Sequence, residues 1–159
     1  MSVNSVQQYA KGVIDNLSLS MFRTPLAVYI TPPNPGKLPG PAAYIWITNG
    51  ESMRQTAPRG LGFRKITWTV SIWLMSPGVS TDRNADIAFA SLIDAVVSAY
   101  TTTPMPVSVT DSVTSATSQI IAVGERITID QAPVRTLSDQ RLFLYEALLH
   151  ITVEEATQH

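Results

Sequence analysis

The chain has 159 residues, 45% of them hydrophobic and only 14% charged, and eleven basic against twelve acidic side chains leave a net charge of −1. That length and apolar content fit a single domain over residues 1–159 with a substantial core, while so small a net charge excludes a global field drawing the chain to nucleic acid or to an anionic membrane. Cysteine is absent, which excludes disulfides and thiolate chemistry; neither a leader-like start nor a run of ~20 apolar residues is present, so a soluble chain that is not exported is expected.

In chain order, Val6, Tyr9, Ala10, Val13 and Leu17 recur at helical spacing behind candidate caps at Ser2, Asn4 and Ser5, predicting an amphipathic helix over about 4–17. Pro25 precedes the apolar run Leu26 to Ile30, a predicted strand. Five prolines and two glycines between Pro32 and Pro41 then predict an irregular connection, a crossover loop or an arm reaching a neighbour. Tyr44 to Thr48 is apolar on both parities. From Phe63 to Met75 one parity reads Arg64, Ile66, Trp68, Val70, Ile72, Leu74, and the other reads Lys65, Thr67, Thr69, Ser71 before turning apolar at Trp73 and Met75. That alternation is a half-buried strand. Asn49 to Gly62 reads as a polar connection too long for a tight hairpin turn, carrying Glu51, Arg54 and Arg59, and such a loop binds something or is ordered by a neighbour.

Ser76-Pro77-Gly78 ends that strand, and Asp82 to Tyr100 predicts a second helix with Phe89, Leu92, Ile93, Val96, Val97 and Tyr100 on one stripe, capped from Ser80, Thr81 or Asp82. Thr101 to Ser118 holds ten Ser or Thr and a short predicted strand at Met105 to Val109. Gln119 to Asp130 is strand-like, with Ile121, Val123, Ile127 and Ile129 on one parity and Gly124 marking a bulge. Gln131 to Gln140 is a second extended connection. Arg141 to Val153 is the last strand, its odd positions from Phe143 to Val153 all apolar and its even ones mixing Leu142, Leu144 and Leu148 with Glu146, His150 and Thr152, and Glu154 and Glu155 read as a polar tail. The order predicts an α+β domain with a mostly antiparallel sheet, two main helices packed on one face, and long hairpin loops.

No catalytic constellation emerges. The only histidines are His150 and His159, and His150 on a strand reads as a solvent-facing or interface residue; no nucleophile elbow accompanies it. Short-spaced zinc ligands are missing, Asp82 and Asp86 fit a helix start, and Gly60-Leu61-Gly62 runs into a strand where a phosphate loop needs a helix. Neither a metal nor a cofactor is expected. Arg54, Arg59, Arg64 and Lys65 place four of the eleven basic residues within twelve positions, a solvated loop or a contact for an acidic partner or phosphate. The charged fraction lies well below the ~25% of an average soluble protein. Either the surface is neutral and Ser/Thr-rich, or it exposes apolar areas that mark association sites.

The whole-chain order resembles the tail terminator proteins of long-tailed bacteriophages and related tail-completion and neck proteins. The likeness runs from the helix near Ser5 to Leu17 through the hairpin Tyr44 to Met75, the helix Asp82 to Tyr100 and the strands Gln119 to Asp130 and Arg141 to Val153. It implies a structural, non-enzymatic virion protein, assembled in the host cytoplasm as a homohexameric ring at the head-proximal end of the tail tube. Such a ring stops tube polymerisation and joins the tail to the head-closure or connector protein; DNA passes through its lumen without specific binding. On this chain that implies subunit, tube or lumen contacts for the Asn49 to Gly62 connection and another contact region at Gln131 to Gln140; no residue-level site transfers, and the residues expected to make subunit or partner contacts are Arg54, Arg59, Arg64, Lys65, Trp73 and Arg135. Other readings are a head-closure or tail-completion subunit, a small ligand-binding or enzymatic α+β domain, and a nucleic-acid-binding domain using the basic loop.

Overall fold

The structure, a computed structural model, describes residues 3–56, 62–78, 83–137 and 142–158. Helix α1 (Val3–Ile14) buries Val6 and Ala10 of the predicted stripe together with Ile14, which lies outside that stripe, while Tyr9 and Val13 are partly buried against the core. It stops three residues short of Leu17 because Asn16 turns left-handed, with φ 59°, the conformation that closes many helices at the residue after the cap. Strand β1 (Ala27–Tyr29) is short, and the proline-rich segment after it holds one 3-10 turn, Pro35–Lys37, where Asn34 Oδ1 accepts from the Gly36 N–H at 3.0 Å.

The central hairpin departs from expectation. Strand β2 spans Ala42–Thr56 and β3 spans Gly62–Gly78, laddered continuously to the pair Thr56↔Gly62. Most of the predicted long connection is therefore strand, and only 57–61, with Pro58 and Arg59, falls outside the described residues. The sequence pattern broke because β2 carries a bulge: Ile47 pairs with Val70 and Asn49 with Thr69, leaving Thr48 as an extra residue. An extra residue reverses which side chains face which side of the sheet.

Helix α2 (Arg83–Thr101) follows, with the candidate caps 80–82 outside the described residues. Strands β4 (Val107–Thr110), β5 (Thr117–Gln131), β6 (Arg135–Leu137) and β7 (Leu142–Gln158) complete the chain. The second predicted connection thus contains β6. The last strand also runs past Val153, so Glu154 and Glu155 lie within β7 and not in a tail. In β5 the register shifts between Ile120 and Ala122 and again between Val123 and Ile127, around Gly124 at φ 77°. The expected bulge is there; the first irregularity buries Ile120 and leaves Ile121 37% exposed, which reverses its predicted orientation.

The architecture is α+β, two helices with a mixed seven-stranded sheet in the order β1-β2-β3-β7-β5-β4, β6 also pairing with β7. β1 runs parallel to β2, and the remaining ladders are antiparallel. One sheet face reads Ala43–Leu74–Ala147, then Ile45–Ile72–Leu149, then Ile47–Val70–Ile151, then Trp68–Val153–Val123. These residues form one cluster with Val6, Ala10 and Ile14 of α1 and Phe89, Leu92, Ile93, Val96 and Tyr100 of α2. Each fully buried Leu, Ile or Phe there contributes about 1.5–3 kcal/mol. Two polar contacts seat α1: Tyr100 Oη donates to the Ala10 carbonyl at 2.6 Å, and Gln7 Nε2 donates to the Ile45 carbonyl of β2 at 2.7 Å, just past the end of the β1 ladder.

Candidate functional site

The opposite sheet face is built from the alternate residues. Its rungs, read across the strands, are Ala42–Met75–Glu146, then Tyr44–Trp73–Leu148–Asp130, then Trp46–Ser71–His150–Thr128. Beyond the β2 bulge come Asn49–Thr69–Thr152, Glu51–Thr67–Glu154 and Met53–Lys65–Ala156. One end is aromatic. Tyr44 and Trp46 stack with ring centroids 4.9 Å apart, while Ala42, Met75 and Leu144 form a small second core with Tyr29, Leu38, Tyr44, Trp73 and Leu137 against it. The other end is threonine-rich and charged.

The predicted contact residues do not form one patch. Arg54 pairs with Arg64 across the β2–β3 ladder. Arg64 is exposed. Lys65 faces the other side by alternation and is bonded to Glu154 at 2.8 Å. Arg59 lies outside the described residues. Trp73 and Arg135 sit far along the strands from Arg64 but close to each other's partners. Arg135 makes a two-pronged contact with Glu146, Nε donating to Oε2 at 2.8 Å and Nη2 to Oε1 at 3.0 Å. Glu146 and Trp73 both line a groove of about 260 Å³ with Asp130, Gln131, Ala132, Ala147 and Leu148. A second groove of about 340 Å³ lies between Phe22, Arg23 and Thr24, Pro39 to Pro41, the end of β3 and the start of α2.

Two arrangements escaped the sequence reading. Ser71, fully buried, bonds His150 Nδ1 at 2.8 Å and also the hydroxyl of Thr48. A buried Ser beside a His has the pairing of a nucleophile and base, but this Oγ has no exposure through which to meet a substrate, and the chain of hydroxyls ties β2, β3 and β7 together at the bulge. The signal was faint: Ser71 merely continues the polar parity of β3, and His150 is one polar residue on a mixed parity of β7. The second arrangement is Glu155, which has no exposed surface and stands on the core side between Ile66 of β3 and Ile120 of β5. Neither of its oxygens, nor the nearby Trp68 Nε1, has a hydrogen-bond partner among the described residues. Burial pushes its carboxyl up to about 7.

Among the described residues no group of three His, Asp or Glu side chains gathers where it would hold a metal ion, and no helix is long and apolar enough to cross a membrane. What the arrangement offers chemically is surface: an aromatic sheet face, two grooves, and long strands whose ends carry charges of both signs. No protein-family model matches the chain, and a search of curated proteins returns no match.

Proposed function

We propose that this chain is a structural subunit of a tail-terminator-like ring, closing with copies of itself at the head-proximal end of a phage tail tube, where it stops tube growth and receives the head connector. The supporting observation is that the sheet outruns its cover. Strands β3 and β7 have seventeen residues each, a length of roughly 56 Å at 3.3 Å per residue, whereas the nineteen residues of α2 span roughly 28 Å. Residues 48–53 of β2 and Arg64 of β3 are accordingly exposed. A ribbon with both faces in water buries little and is stabilised by a neighbour, and the low charge of the chain lowers the cost of covering it.

In this reading the mostly antiparallel sheet carries both helices on one face and leaves the other to neighbouring subunits and the tail tube protein. A closed ring presents different surfaces above and below, so one end matches the tube and the other cannot extend it. Arg54, Arg59, Arg64, Lys65, Trp73 and Arg135 belong to these contacts, and DNA traverses the lumen without a specific site. Electron microscopy of the purified protein, alone and with polymerised tail tubes, tests this. Rings capping one tube end are expected. A ring that ignores tubes but binds the head connector would move the assignment to a neck subunit, and monomers at high concentration that also ignore tubes would overturn it.

A further inference from the structure

The sheet has two unpaired edges, and they are matched. On one flank β1 pairs with β2 only at Ala42–Tyr44, so no described strand lies beside β2 from Trp46 to Thr56. On the other flank β4 pairs with β5 only over Thr117–Ile120, leaving the stretch from Ile127 to Gln131 with β7 on one side and no described strand on the other. Because β2, β3, β7 and β5 alternate in direction, the two free edges run oppositely. Such edges carry unpaired N–H and C=O groups that template another strand. Each also exposes one large apolar side chain, Met53 at 57% and Ile129 at 48%.

We infer that β2 of one copy pairs antiparallel with β5 of the next, with Glu51 beside Arg126, continuing the sheet from subunit to subunit. The inference rests on the self-association proposed above and specifies its contact. Register follows from two constraints. Residues opposed in a ladder must share a face, so Asn49, Glu51 and Met53, on the face away from the helices, must meet Thr128 and Asp130 on that same face. Setting Asn49 against Thr128 brings Glu51 beside Arg126. Sliding by two residues sets Glu51 against Thr128 and leaves it without a counter-charge, and sliding by four opposes it to the Asp130 carboxylate, which is destabilising. None of the ion pairs among the described residues uses Glu51 or Arg126, so these charges are available. The bulges at Thr48 and Gly124 bound the paired stretch and hinder indefinite edge-to-edge growth.

The test is a charge swap read by sedimentation. Glu51→Arg alone and Arg126→Glu alone are expected to weaken self-association by about tenfold or more, and the double exchange to return it to within about threefold of the natural protein. Amide exchange within residues 49–51 and 127–129 should slow on assembly in the natural protein and the double variant alike, whereas the Arg126 N–H, already donated to Thr152 Oγ1, should change little. Unchanged monomer circular dichroism in the single variants separates lost pairing from lost folding. Assembly that is indifferent to the single exchanges, is not restored by the double, or leaves those amides unprotected overturns the strand pairing while leaving a ring intact. A natural protein that stays monomeric at high concentration overturns both readings.

Discussion

Glu155 is the residue at which the sequence is hardest to read and the structure most consequential. Next to Glu154 and near the chain end, it has the composition of a solvated tail. Yet the odd parity of β7, apolar from Phe143 to Val153, reaches it two residues later, so the strand's own period assigns it to the core once the strand is known to continue. Its carboxyl ordinarily titrates at 4.5 and here at about 7. Between those values the folded protein holds a proton that the unfolded chain has released, so stability falls as pH rises through that window, and the loss is complete above it. Glu155→Gln removes the ionisation. At pH 8 it is expected to raise stability by about 1–3 kcal/mol, the scale of a buried unsatisfied polar group, and at pH 4 to change it little. Urea unfolding at the two pH values measures this; equal effects at both would refute it.

At the scale of elements, helices α1 and α2 were legible because each has a continuous apolar stripe of period 3.6. Strands β3 and β7 were legible because one parity of each stays apolar over several residues, Ile66 to Leu74 in β3 and Phe143 to Val153 in β7. What failed was β2 beyond Thr48, where Asn49-Gly50-Glu51 has the composition of a turn and the preceding bulge disrupts the period on which a strand is recognised. Gly50 has a packing reason instead. It pairs with Trp68, and a Cβ added there would lie 2.5 Å from the indole ring. Gly50→Ala should therefore destabilise by about 1–3 kcal/mol, the usual cost of overpacking. Combined with Trp68→Phe, it should cost less than the sum of the two single changes. Denaturant midpoints of the four proteins supply the cycle, and strict additivity would mean that the ring does not hold that glycine in place.

For the whole molecule, the low charge and the missing catalytic constellation directed attention to assembly, and the long sheet gives that reading a surface. The basic cluster was only partly legible. Its members are contiguous in sequence, but strand alternation sends Arg64 and Lys65 to opposite faces and commits Lys65 to Glu154. Trp73 and Arg135, distant in sequence, meet around Glu146 through the pairing of β3, β7 and β6. In the assembly proposed above, carried mainly by backbone pairing with a single charge pair per contact, self-association should respond mildly to ionic strength. Raising salt from about 0.1 M to about 1 M shortens the screening length from roughly 10 Å to 3 Å. Sedimentation across that range should show less than about a tenfold change in association. A fall of several orders of magnitude would mark a contact dominated by charge.

A pleated strand has something like a reading frame, and Thr48 is a frameshift within it. Upstream of that residue, even-numbered side chains of β2 share the face of Trp73; downstream, odd-numbered ones do. Excising this one amino acid would put the strand back into a single frame: Ile47 opposite Val70 would be followed directly by Asn49 opposite Thr69, each keeping its face because opposed residues share one. What would go is the local bend and the bond between the Thr48 and Ser71 hydroxyls. A single codon therefore sets the direction in which the far half of β2 leaves the body of the sheet.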